Sequence, residues 1–123
     1  MSTATDEHRG SKEYFLVYAE LITAARHRGT VTYQELADLV GLPTTGNYMG
    51  SEVSKYLGAI SEDEVHHGRP MLSAIAVTVE GKPGAGFFSL AVELNKLSDK
   101  GDQHKFWEVE RNAVYKTWQK TFR

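Results

Sequence analysis

The chain contains no cysteine and only three prolines in 123 residues. The absence of thiols excludes a cysteine nucleophile, a thiolate zinc site and a disulfide framework. A single domain of this length buries about two thirds of the surface that its unfolded chain exposes, so it needs no covalent staple. A chain without cysteine suits a reducing compartment, and the sequence therefore predicts a cytoplasmic protein.

Long apolar runs and a strong charge of one sign are also missing. No apolar segment approaches the roughly 20 residues that a membrane-spanning helix needs, and there is no basic and apolar leader. The sequence therefore predicts no contact with a membrane. Fourteen Lys and Arg residues face sixteen Asp and Glu residues, which gives a formal net charge of -2. Any contact with nucleic acid must therefore come from a local basic patch.

The residues that are present are those of one ordinary globular domain, with 41% apolar and 11% aromatic side chains. Residues 1–10 are mostly small or polar and have little apolar surface to bury, so we predict a disordered tail there. The remaining residues, 11–123, form a single predicted domain.

Helical spacing of apolar residues predicts a first helix, with Tyr14, Tyr18, Leu21 and Ala25 on one face. Gly29 follows where such a helix would stop. The next three residues, Thr30-Val31-Thr32, are β-formers that predict a short edge strand.

The next segment has the signals of two helices joined by a turn. Thr32 and Glu35 have the spacing of a capping box, which marks a helix start. Gly41 and Pro43 end that helix, because glycine adopts the left-handed cap and proline cannot continue a helix. A third helix follows on an apolar stripe formed by Met49, Val53, Tyr56, Leu57 and Ile60. Together these signals predict a helix-turn-helix pair.

The second half of the chain predicts one strand and two more helices. Ser61-Glu62-Asp63-Glu64 reads as another capping box, so a separate helical turn should begin there. Residues 71–79 alternate in side-chain character and predict the longest strand, followed by a glycine-rich loop over residues 81–86. Helical spacing resumes over residues 87–97 and 102–123. The predicted fold is α+β and mainly α, with a winged helix-turn-helix-like core, an N-terminal packing helix and two C-terminal helices.

Residues 29–86 carry a more specific pattern. It comprises Gly29-Thr30-Val31-Thr32-Tyr33-Gln34-Glu35-Leu36-Ala37, then Gly41-Leu42-Pro43, Met49-Gly50, and Pro70 ahead of a strand and a glycine loop. This pattern resembles the DNA-binding part of the alkylguanine-DNA alkyltransferases and of their catalytically inactive alkyltransferase-like relatives. The resemblance implies a small bacterial-type protein that binds duplex DNA or is associated with it.

The chain departs from that family where the family's chemistry lies. Asn47 stands where the family has the arginine that fills the gap left by a flipped base. Met71, Leu72 and Ser73 replace the Cys, His and Arg of the acceptor motif. A thioether cannot become the thiolate that alkyl transfer needs, so the sequence predicts no alkyl transfer and, more generally, no enzyme and no cofactor.

The resemblance leaves a nucleic-acid-binding scaffold. It implies that Tyr33 contacts phosphate near a helix N-terminus and that one face of the third helix meets the DNA. The candidate nucleic-acid-binding residues are Tyr33, Asn47, Tyr48, Ser51, Lys55 and Lys82. The alternative is a protein-protein interaction module or homodimer on the same scaffold, in which Tyr33 covers the core and the polar residues are merely solvated.

Other patterns leave further alternatives open. Asp63, Glu80 and Lys82 have the residue types of a metal-dependent nuclease. His66 and His67, with Glu62 or Asp63, suggest a metal site, although neighbouring helical residues diverge by about 100°. The glycine loop suggests a phosphate cradle but lacks a nucleotide-binding motif. The aromatic stripe of the last helix is either core or a dimer face, and comprises Phe106, Trp107, Tyr115 and Trp118.

Overall fold

The computed structural model describes residues 8–43 and 47–119, with side chains in the second range from residue 50 onward. The elements are α1 (Lys12–Arg26), β1 (Val31–Thr32), α2 (Tyr33–Leu39), α3 (Asn47–His66), a 3₁₀ turn (Leu72–Ile75), β2 (Ala76–Val77), α4 (Ala85–Glu93) and α5 (Gln103–Trp118). The chain is thus α+β and mainly α, as the sequence predicts. Among the described helices, none has the length and apolar character needed to cross a bilayer.

The starts of the first two helices follow from local capping. The Ser11 hydroxyl accepts a hydrogen bond from the Tyr14 amide and begins α1. The capping box of α2 is confirmed: the Thr32 hydroxyl accepts from the Glu35 amide at 3.1 Å, and the Glu35 carboxylate accepts from the Thr32 amide at 2.9 Å. Gly41, at φ 79°, follows α2 in the left-handed conformation, as predicted.

The predicted helix break at Ser61 is wrong, because α3 is one continuous helix of 20 residues that includes Ser61. The Ser61 hydroxyl does not cap a helix; it donates to Ser73 Oγ at 2.7 Å and accepts from the Ser73 amide at 3.1 Å. Two acids that follow it have remote partners, since Arg9 binds Asp63 and Arg69 binds Glu64. With these partners the polar run is stable inside a continuous helix.

The predicted strand over residues 71–79 is also wrong in most of its length. The chain forms the 3₁₀ turn there, and only the two residues of β2 pair with another strand. β2 runs parallel to β1, with Val31 opposite Ala76 and Thr32 opposite Val77. All residues from 71 to 77 are buried, so the alternation in the sequence does not mark one wet and one dry face.

The 3₁₀ turn lies at the centre of the core and packs against α1, α3 and α5. Trp107 on α5 donates its indole N–H to the Ala74 carbonyl at 2.9 Å. Glu110 on the same helix accepts from the Met71 amide at 2.8 Å and pairs with Lys96 at 2.7 Å. The aromatic stripe of α5 is therefore at least partly core: Trp107 and Tyr115 are buried, and Phe106 and Trp118 pack against the cluster.

Helix ends in the C-terminal half differ from the sequence expectation. α4 ends at Glu93, because Asn95 adopts the left-handed conformation at φ 62° and turns the chain before Leu97. α5 begins after Asp102, whose carboxylate accepts from the Lys105 amide, and it ends at Trp118. Of the predicted residues 102–123, those from 120 onward lie outside the described residues.

Residues 8 and 9, which belong to the predicted tail, contact α3. The His8 ring stacks on Tyr56 with centroids 4.5 Å apart, and its Nε2 lies 3.0 Å from a Glu52 carboxylate oxygen. Arg9 donates to the Ala59 carbonyl and to the buried Glu62. These contacts anchor residues 8 and 9 to α3, whereas residues 1–7 lie outside the described part of the chain.

Candidate functional site

An open cleft of about 240 Å³ lies between α3 and α4, beside the start of α2. Its floor is formed by buried residues, namely Leu57, Gly58, Ser73 and Phe87. Its rim is formed by exposed residues, namely Ser54, Gly86, Ser89 and Glu93. Tyr33 and Leu90 are half-buried and connect the floor to the rim. The cleft thus combines hydroxyl groups with a largely apolar floor, which is the usual composition of a small-molecule pocket.

The hydroxyl of Ser73 is held in a fixed arrangement on the floor. Ser61 donates to Ser73 Oγ, and the Ser73 amide donates back to Ser61 Oγ. The Ser61 hydroxyl proton is used in this pair, so the Ser73 hydroxyl proton is left for another acceptor. Ser73 also belongs to the residues that line the cleft.

Of the predicted site residues whose side chains the structure describes, Tyr33 is the one that lines the cleft. Its hydroxyl accepts a hydrogen bond from the Gly84 amide at 2.9 Å, just before α4 begins. Burial raises the pKa of Tyr33, so the phenol stays neutral near pH 7. A Cβ at Gly84 would lie 2.8 Å from the Tyr33 hydroxyl oxygen, so this close approach requires glycine. A second, smaller cleft lies on the other side of Tyr33, between Thr32 and Val79.

The charge of the cleft is sparse and negative. Among the described residues that line it, only Glu93 is charged. A bare phosphate or carboxylate would meet no cation among these residues and would be repelled by Glu93. The lining instead suits a neutral group with hydrogen-bond donors and acceptors along its edge.

Two of the candidate nucleic-acid-binding residues, Ser51 and Lys55, lie on α3. Ser51 is exposed, one turn before the cleft residue Ser54. Lys55 is half-buried, and its ammonium group lies 3.1 Å from a Glu52 carboxylate oxygen. Contacts with Lys55 and His8 lower the pKa of Glu52 against the opposing effect of burial. This ion pair reduces the positive charge that Lys55 presents to an anionic partner.

The remaining three candidate nucleic-acid-binding residues are Asn47, Tyr48 and Lys82. Asn47 is the first residue of α3 and Tyr48 the second, but their side chains lie outside the described residues. Lys82 is exposed in the loop before α4, and its carbonyl accepts from the Thr78 amide at 2.8 Å. Lys82 does not line the cleft.

Met71, which the resemblance aligns with an acceptor cysteine, is fully buried and does not line the cleft. Its amide is bound by Glu110 on α5. Two residues later, Ser73 lies on the cleft floor. Among the described residues, this segment contributes a serine to the cleft lining and Met71 contributes none of its atoms.

The acids proposed for metal or nuclease chemistry are engaged in ion pairs and hydrogen bonds. Asp63 accepts from Arg9 and from the Tyr14 hydroxyl, while Glu80 accepts from Thr78 at 2.9 Å. His67 makes a 2.7 Å contact to the Asp63 carbonyl. In residues 8–43 and 47–119 no three His, Asp or Glu side chains are grouped as metal ligands would be. The geometry therefore gives no support to either proposal.

Most of the cleft was missed by the sequence analysis. The residues come from four separated segments, and no local motif marks them. Two spacings were available as weak signals: Ser54 and Gly58 on α3, and Ser89 and Glu93 on α4, each lie four residues apart on one helix face.

In comparisons with models of protein families, with curated proteins and with solved structures, the chain matches none.

Proposed function

We propose that the chain is a non-enzymatic protein that binds duplex DNA through α2 and α3 and that takes a nucleobase into the cleft between α3 and α4. The α2–α3 pair is the helix-turn-helix of this proposal, with α3 as the recognition helix. The observation that carries the proposal is the position of the cleft, which adjoins the exposed face of α3.

The surface of α3 supports close approach to DNA. Ser51 and Ser54 are exposed, and their short side chains let the helix approach the edges of bases. α2 packs against α3 and is fixed by its capping box, so the pair can present one rigid surface.

The cleft chemistry supports a base as its occupant. Proteins that hold an extruded base use apolar or aromatic side chains for its faces and hydrogen bonds for its edge. Leu57, Phe87 and Leu90 provide the apolar surface, and Ser73 provides a donor on the floor. None of the described lining residues is a cation, which disfavours phosphate as the occupant.

A blocking variant provides a direct test. No heavy atom lies within 4 Å of a Cβ built on Gly86, so Gly86→Leu should project into the open cleft without a clash. Leucine also favours a helix over glycine, so the variant should be at least as stable as wild type. The matched control is Ala85→Leu, because Ala85 is exposed on the same turn and does not line the cleft.

The measurement is fluorescence anisotropy of duplex and single-stranded oligonucleotides over increasing salt. Wild type and Ala85→Leu should bind duplex with equal affinity, and Gly86→Leu should bind it more weakly. Equal binding by all three would refute the role of the cleft. No duplex binding by wild type at low salt, where electrostatic contacts are strongest, would refute the function itself.

One observation favours the protein-interaction alternative. Phe15 and Leu16 are neighbouring residues of α1 with 60% and 39% of their surface exposed. An exposed apolar pair on a helix is a common anchor of protein interfaces. Concentration-dependent sedimentation that is abolished by Phe15→Ser would support this function.

A further inference from the structure

Two arginines lie where the end of α1 meets α5. The guanidinium carbon of Arg28 is 5.1 Å from the ring centroid of Tyr115, and that of Arg111 is 4.8 Å from the ring centroid of Trp107. The Tyr115 hydroxyl donates to the Gly29 carbonyl at 2.9 Å and so fixes the two elements together. Burial raises the pKa of Tyr115, and the positive charges of Arg111 and Arg28 partly oppose that effect.

Neither guanidinium is neutralised within the described ranges. No carboxylate oxygen there lies within 4.0 Å of Arg28 or Arg111, whereas Arg9 and Arg69 both bind carboxylates. Of the two acids nearest to Arg111 along α5, Glu110 pairs with Lys96 at 2.7 Å, and Glu108 lies 3.4 Å from His104 Nε2. Both guanidinium groups therefore lack a carboxylate partner within ion-pair distance among the described residues.

The backbone of Arg28 gives an independent observation. Its φ of 57° is left-handed, in the position after the α1 cap that glycine usually occupies. The sequence predicts that Gly29 ends this helix, but Arg28 adopts the left-handed conformation and the Gly29 amide donates to the Ala24 carbonyl at 2.8 Å. A non-glycine residue persists in this conformation when the surrounding structure holds it there, and here the Arg28 guanidinium lies over the Tyr115 ring.

We propose that Arg28 and Arg111 form an anion-binding patch that contacts the backbone phosphates of duplex DNA. This inference rests on the proposed function and adds a second contact region to it. A guanidinium held against an aromatic ring keeps its N–H groups at the edge of the plane, where they can bind phosphate oxygens. Arg28 precedes the Thr32 cap of α2 by four residues, so a short segment connects the patch to the helix-turn-helix.

The same charges would also attract an anionic lipid surface, but the surroundings favour DNA. Trp107 and Tyr115 are only 8% and 6% exposed, so neither aromatic ring is available to insert into a bilayer. A surface-bound protein generally combines basic residues with exposed apolar ones on one face.

The test compares wild type with the double variant Arg28→Gln, Arg111→Gln in duplex titrations over increasing salt. The matched control is Lys100→Gln, Lys105→Gln, which removes the same charge from exposed positions before and at the start of α5. Loss of two phosphate contacts should weaken binding at low salt and reduce the slope of log affinity against log salt by about two. The control variant should change the low-salt affinity and the salt slope by less than half as much as the arginine double variant does.

A second variant separates binding from folding. Arg28→Gly removes one guanidinium and relieves the left-handed strain, so it should lower the salt slope by about one without lowering the thermal midpoint. This result keeps the test valid if the double variant is unstable.

The outcomes distinguish the two proposals. Unchanged affinity and slope in the arginine variants, with wild type still binding duplex, would overturn the patch and leave the proposed function intact. A failure of wild type to bind duplex at all would overturn both. Binding of wild type to phosphatidylserine vesicles, lost in the double variant and without duplex binding, would assign the patch to a membrane and overturn the proposal.

Discussion

The ion pair of Glu64 and Arg69 gives the sharpest stability prediction. Glu64 is fully buried, and its carboxylate accepts three guanidinium hydrogen bonds of 2.9–3.0 Å from Arg69 as well as the Tyr18 hydroxyl. This hydrogen bonding to Glu64 is the main cause that raises the pKa of Arg69 further. Arg69→Ala would remove the guanidinium and leave Tyr18 as the remaining partner of Glu64.

The magnitude follows from the burial of the two side chains. Removing one partner of a buried ion pair costs about 3–5 kcal/mol. The Arg69 side chain is 35% exposed, so water can partly fill the gap and the lower end of this range applies. For a domain of this size a loss of about 3 kcal/mol corresponds to a thermal midpoint lower by about 12 °C.

Circular dichroism melting of four proteins measures this effect. The control Glu108→Gln breaks an exposed contact with His104 and should shift the midpoint by less than about 2 °C. The double variant Glu64→Gln, Arg69→Ala should be more stable than Arg69→Ala alone, because a buried amide costs less than an unpaired carboxylate. A midpoint of Arg69→Ala within the range of the control would refute the reasoning, and so would a double variant less stable than the single one.

Three further predictions concern the core, the tyrosines and the acceptor position. Leu36→Ala should cost about 2–5 kcal/mol in urea unfolding, because Leu36 is fully buried between the helices, and a loss below about 1 kcal/mol would contradict that packing. Stability should be full below pH 10 and fall as the pH rises through the folded pKa values, because burial and a carboxylate hydrogen bond raise the pKa of Tyr18 to about 12 and also raise that of Tyr14. Tyr18→Phe should make this alkaline fall in thermal midpoint shallower, and an identical pH profile would count against the buried contact. Met71→Cys, alone or with Leu72→His, should take up no methyl group from alkylated guanine DNA, since Met71 is fully buried outside the cleft, and stoichiometric methyl uptake would show otherwise.

The helices were predictable from the sequence because their signals are local. The capping box of Thr32 and Glu35 fixes the start of α2, and Gly41 fixes its end. Apolar spacing within each segment marks the buried face without reference to the rest of the chain.

At Ser61 and over residues 71–79 the predictions are wrong because contacts with distant segments decide the local structure. The acids that follow Ser61 stay inside α3 because Arg9 and Arg69, each from outside that helix, bind them. In the segment after Met71, Leu72–Ile75 form a 3₁₀ turn that packs against three helices, and Ala76 and Val77 pair with β1.

Among the described residues that line the cleft, only Tyr33 was singled out from the sequence, through the family resemblance. Ser54, Ser73 and Phe87 reach it from distant segments, and their grouping depends on how α3, the 3₁₀ turn and α4 pack. The patch at Arg28 depends likewise on the backbone turn and on a ring from α5. Single-sequence patterns carry no information on such contacts between distant segments.

We propose that α3 and its adjoining cleft bind duplex DNA and hold a base. This proposal is tested most directly with a duplex that contains one 2-aminopurine, whose fluorescence rises when the base leaves the stack. Wild type and Ala85→Leu should raise this fluorescence on binding at low salt, and Gly86→Leu should not, because its side chain occupies the cleft. Binding with no rise for wild type, or the same rise for Gly86→Leu, would contradict the claim that the cleft holds a base.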